Sequence, residues 1–111
     1  LMAEAYKVLA QAHLTTTSDT DVYTVPSATE AVVSTIVVAN IGTVATTFNM
    51  AVRPDGETLA DKHYIALGVP IAANDATTLT LGITMDASDV ITCAAGAANA
   101  LSFNVFGTEI S

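Results

Sequence analysis

Hydrophobic and polar positions alternate in short runs along most of the chain, and the runs break at Gly, Pro, Asn and Asp. The clearest stretch is Ala31–Arg53, which reads AVVSTIVVAN, then IGTVA, then TTFNMAVR. Strand periodicity puts Val33 and Val37 on one face of the first run and Val32, Ile36 and Val38 on the other. The second run alternates, with Phe48, Met50 and Val52 opposite Thr47, Asn49 and Arg53. A run apolar on both faces belongs in the middle of a structure, and an alternating run belongs on a half-wet sheet. The pattern predicts two strands joined as a hairpin at Gly42, forming the core of an all-β domain.

The remaining runs follow the same logic. Tyr6–His13 has good helix formers but reads as a strand, with Tyr6, Val8, Ala10 and Ala12 on one face and Lys7, Leu9, Gln11 and His13 on the other. Thr15–Thr20 is a polar loop, and Asp21–Val25 a short strand stopped at Pro26. Arg53-Pro54-Asp55-Gly56 is a tight turn, with Pro at the first central position and Gly free to take positive φ. Glu57–Asp61 reads as a loop or one helical turn, and Lys62–Leu67 as a strand ended by Gly68 and Pro70. Thr77–Met85 alternates with Leu79, Leu81, Ile83 and Met85 on one face; Asp89–Ala95 and Leu101–Ile110 follow, and Gly107 marks a bulge or a close backbone approach. About eight strands separated by turn signals predict an antiparallel β-sandwich, jelly-roll or immunoglobulin-like. Residues 1–111 are expected to form one domain, with Val37, Phe48, Met50, Leu79, Leu81, Ile83 and Phe103 buried.

Composition narrows what such a domain can do. Among 111 residues, three basic side chains stand against eleven acidic ones, for a formal net charge of −8. Phosphate contacts require Lys and Arg, so neither nucleic acid nor an anionic membrane surface is an expected partner. No run approaches the ~20 apolar residues of a membrane helix. Only 13% of residues are charged, against ~25% in an ordinary domain, so the surface is unusually neutral, as in a protein that packs against other chains. The single cysteine, Cys93, excludes an intrachain disulfide and fits folding inside a cell. The N-terminus lacks a signal-peptide pattern, and Leu1 ahead of Met2 points to Met2 as the natural start.

Candidate chemistry is sparse. His63 follows Asp61 at strand spacing, which suits a surface ion pair better than a hydrolytic dyad, and no GxSxG elbow accompanies it. His13 and His63 lie far apart in sequence and no CxxC or HxxxH spacing occurs, so zinc is unsupported. Asp19 with Asp21, and Asp86 with Asp89, sit near turns without the calcium-loop pattern, where turn chemistry is the ordinary reason for Asp. Cys93 reads as a buried inert thiol. Phe48, Phe103 and Phe106 read as core residues and not as a stacking platform for bases. No catalytic, cofactor-binding or metal residue is assigned, and no cofactor is expected.

The segments MAEAYKVLAQ, DVYTVPSATEAVVSTIVVAN, FNMAVRPDGETLADKHYIA, IAANDATTLTLGITM and LSFNVFGTEI together resemble small virion structural proteins of tailed bacteriophages. The resemblance covers nearly the whole chain and rests on strands and turns, so it carries over no individual functional residue. It implies a non-enzymatic protein used in many copies: first a capsid decoration or cement protein that holds major capsid protein subunits together from the outer surface of the virion. Its partners would be the major capsid protein, in the host cytoplasm where it folds and in the virion, and further copies of itself, as in a trimer. Met2–Ala5, Thr15–Thr20 and Arg53–Asp61 are the expected contact elements, because loops and termini carry binding in β domains. A tail, baseplate or fibre component is the alternative within virions. A carbohydrate-binding sandwich is the alternative outside them, disfavoured by the absence of Trp.

Overall fold

The chain behaves as one long ribbon doubled back at its middle and then rolled. A computed structural model describes residues 3–111. Its strands are β1 (Glu4–His13), β2 (Thr20–Thr24), β3 (Glu30–Asn40), β4 (Thr46–Arg53), β5 (Tyr64–Ile71), β6 (Ala76–Met85), β7 (Val90–Ala95) and β8 (Leu101–Ile110). Two 3-10 turns, Pro54–Gly56 and Asp61–His63, lie at the fold of the ribbon. Antiparallel ladders join β4 to β5, β3 to β6, β2 to β7 and β1 to β8, so the second half of the chain pairs back along the first. Rolling the ribbon adds the ladders β3–β8 and β4–β7. Two four-stranded sheets result, in the orders β1-β8-β3-β6 and β2-β7-β4-β5. This is the jelly-roll order, which decides between the two sandwich types expected.

The core between the sheets is made by Ile36, Val38, Phe48, Met50, Ile91, Leu101, Phe103 and Val105, all essentially inaccessible. Phe48 and Phe103 meet edge-to-face across the sheets, with centroids 6.4 Å apart. β7 is buried at every position, and β8 buries Leu101, Phe103 and Val105 as its alternation requires.

Several expectations are corrected. Asn40 and Thr46 end and begin strands in different sheets, so Ala31–Arg53 is not a hairpin but an arch crossing the sandwich. The buried Asn40 side chain forms the arch: Nδ2 donates to the carbonyls of Val44 (3.0 Å) and Ile71 (3.3 Å), and Oδ1 accepts from Gly42 N–H (3.0 Å). Strand faces also differ from simple alternation, because bulges change the phase. An extra residue at Ser34 puts Val33 on the same face as Ile36 and Val38, leaving Val37 half-buried on the outside. An extra residue at Leu9 turns Leu9, Ala10 and Ala12 inward and Tyr6 and Val8 outward. On β6, Leu81 and Gly82 together oppose Ser34, so Leu81 is 47% exposed while Leu79 and Ile83 only border the core.

These bulges line up across one sheet, and Gly107 lies at their centre. A Cβ at Gly107 would run into the Val32 carbonyl oxygen and Val33 Cα, which is the close approach the sequence suggested. The other sheet repeats the device at its edge. Leu67 and Gly68 oppose Asn49, whose Oδ1 accepts from Gly68 N–H at 2.7 Å. β5 therefore begins at Tyr64 and runs on through Gly68 and Pro70 to Ile71, longer than expected. An edge strand tolerates both residues, because its outer N–H groups pair with nothing.

Candidate functional site

Strand directions sort every loop to one of two ends of an elongated body measuring 48 × 27 × 21 Å. Reciprocal bonds between Ala3 and Ser111 fix the N-terminal segment beside the end of β8. The connections 25–29, 54–63 and 86–89 share that end. The loops 14–19, 41–45, 72–75 and 96–100 share the other, where Leu14 exchanges bonds with Leu101 and Asn99. Of the expected contact elements, Ala3–Ala5 and Arg53–Asp61 thus lie together and Thr15–Thr20 lies opposite, with Thr20 already the first residue of β2. Met2, at the start of the first element, lies outside the described residues.

The two ends differ in charge. Glu4, Glu30, Asp55, Asp61, Asp86 and Asp89 belong to the first end, whereas the second holds Asp19 and Asp75 beside the exposed apolar side chains of Ile41 and Val44. The loops of the acidic end are rigidly built. Arg53 donates to Thr92 Oγ1 (2.9 Å), to the carbonyl of Glu57 (2.8 Å) and to Asp21 Oδ1 (2.8 Å), tying β4, β7, β2 and the turn together. His63 is buried and does not pair with Asp61, contrary to the surface pair expected. Its Nδ1 accepts from Ala60 N–H (2.9 Å), which leaves Nε2 to donate to Glu57 Oε1 (3.2 Å). That bond, with Lys62 nearby, holds the Glu57 carboxyl below its usual range. Asp89 accepts from the backbone N–H groups of Asp55 and Asp86, both at 2.8 Å, and Asp86 accepts from Ala87 N–H: the turn role expected of them.

A third polar cluster closes the side where β1 meets β2. Glu109 accepts from the Tyr23 hydroxyl and pairs with Lys7 Nζ, both at 2.6 Å. Lys7, then Tyr23, hold the Glu109 carboxyl low, while burial and the neighbouring carboxylate raise the Tyr23 phenol. With Arg53 on Asp21 and Lys62 on Glu57, every Lys and Arg of the chain lies against a carboxylate. Lys62 makes the loosest of these contacts, at 3.6 Å with its side chain 75% exposed. The thiol of Cys93 is fully buried, and burial pushes its pKa up to about 12, which leaves it inert. His13 and His63 sit at opposite ends, and no group of three His, Cys, Asp or Glu side chains suited to a metal occurs among the described residues.

The outer face of the β1-β8-β3-β6 sheet is the feature the sequence reading missed. Val8, Phe106, Thr35 and Thr80 form one row through all four strands, and Gln11, Asn104, Val37 and Thr78 the next. Phe106 is thus an outer-face residue and not part of the core, a correction that follows from its place opposite Val8. The bulge phases hid this face, since it assembles only when the register is known.

No protein-family model matches the chain, and no curated protein matches it. Among solved structures, a chain in the acid-stable capsid structure of Helicobacter pylori bacteriophage KHP30 is similar to it: TM-score 0.56, 16% identity, covering 100% of this chain and 94% of that one. At this identity the likeness establishes a shared fold.

Proposed function

We propose that this chain is a non-enzymatic structural protein of a phage capsid. More specifically, it acts as a decoration protein that binds the assembled outer shell and stabilises contacts between major capsid protein subunits. The observation that carries the reading is the end-to-end likeness to a chain from a phage capsid structure, with neither chain left substantially unmatched. The surface supports it. Its carboxylates hold Arg53, Lys7 and turn amides in place, an arrangement that builds rigid loops. The net charge of −8 favours the outside of the shell over the packaged nucleic acid. A protein that binds only the assembled shell adds its attachment free energy to the stability of that shell. Cryo-electron microscopy of the whole particle tests this. Density for the chain at many equivalent head positions, bridging capsid subunits, is the expected result, and density confined to the tail refutes it.

A further inference from the structure

The outer face of the β1-β8-β3-β6 sheet carries no charged side chain from the row of Tyr6 to the row of His13. Of the charges these strands hold elsewhere, Lys7 and Glu109 turn to Tyr23 and Glu30 lies beyond Tyr6 at the acidic end, while Glu4 accepts from the Tyr6 hydroxyl at 3.0 Å and so marks the acidic edge of the face. In their place the face presents Tyr6 (80% exposed), Val8 (49%) and Leu81, with Phe106, Val32 and Val37 half-buried among threonines. Its polar pair is internally satisfied, Gln11 Nε2 donating to Asn104 Oδ1 at 2.8 Å. An antiparallel sheet facing water ordinarily turns polar side chains outward, and exposed apolar side chains gathered on such a face mark contact surfaces.

We propose that this face is a self-complementary interface that binds a second copy of the chain, sheet against sheet in antiparallel orientation. The charge map favours this occupant. A basic partner would gain nothing here and much at the acidic end, whereas two copies of net charge −8 meet with least repulsion across their uncharged faces. Antiparallel stacking also sets the Glu4 and Glu30 row of each copy against the neutral rim of the other, away from its twin. Strand spacings give the face roughly 450 Å² in projection and more as accessible area, close to the ~600–800 Å² per partner of specific contacts. The inference deepens the reading of a protein used in many copies and rests on it for its purpose. Its test needs no shell, so the two can fail separately.

Sedimentation equilibrium of the full chain at micromolar concentration is the experiment. A dimer is expected, with Val8→Glu and Leu81→Glu each weakening it roughly tenfold or more by placing a charge in a desolvated contact. Leu67→Glu, at a still more exposed apolar position of the opposite sheet, should leave the dimer intact. Circular dichroism confirms that each variant is folded. A wild-type monomer throughout the micromolar range overturns the proposal, as does association that survives both face variants or is lost with Leu67→Glu.

Discussion

Asn40 shows how much one side chain can fix. It is 2% exposed, and its three hydrogen bonds join the arch between the sheets to the end of β5. Asn40→Ala leaves the buried Ile71 carbonyl without this partner and unties Gly42 and Val44 in the more open arch, so it should cost about 2 kcal/mol, read as a lower urea midpoint at constant m value. Phe48→Ala removes one ring of the edge-to-face pair and should cost about 3–5 kcal/mol by the same measurement. Glu109 makes a pH-dependent contribution. Its carboxyl is held low in the fold, so its stabilisation is complete above the ordinary carboxylate range and is lost as pH falls through the lowered value. The stability difference between wild type and Glu109→Gln should therefore be constant near neutrality and shrink as the pH drops below ~4, in denaturation series at several pH values. The residue types that mattered here were unremarkable in sequence: an Asn before a Gly turn and a Glu in a terminal strand give no sign of partners that lie dozens of residues away.

At the scale of elements, the sequence located the strands well and their faces poorly. Phe48, Met50 and Phe103 were legible as core because β4 and β8 keep a regular two-residue phase through them. Val37 and Leu81 were not, because the phase slips at Ser34 and at Leu81-Gly82, and a slip of one residue exchanges inside for outside. Gly82 at φ 62° and Gly68 at φ 65° were visible as Gly but not as bulges. Two apolar runs with a short Gly-containing link satisfy both a hairpin and an arch; only the pairing of β3 with β6 and β8 separates them. Gly107→Ala and Gly82→Ala should differ accordingly. The first drives a Cβ into the Val32 backbone, the second meets nothing within 4 Å and bears only the strain of a positive φ. Gly82→Ala should thus cost on the order of 1 kcal/mol, and Gly107→Ala clearly more, since backbone must move.

The whole molecule is organised by where charge is absent. Fold class was readable from turn spacing, but the division into a strongly acidic end, a less charged end and an uncharged sheet face required the jelly-roll topology, which gathers Tyr6, Val37, Leu81 and Phe106 from four separate strands. That division fixes how association should respond to salt. When basic side chains grip a phosphate backbone, added salt weakens binding, because counterions released on contact are returned. Here every Lys and Arg already lies against a carboxylate of its own chain, and two copies carry like net charge. Bringing them together across an uncharged face leaves long-range repulsion as the main electrostatic contribution, and salt screens it within a Debye length of ~10 Å at 0.1 M. Self-association should therefore strengthen as salt is raised. Sedimentation equilibrium across a salt series checks this directly. Dissociation constants that rise with salt would mean that ion pairs between copies, and not the neutral face, hold them together.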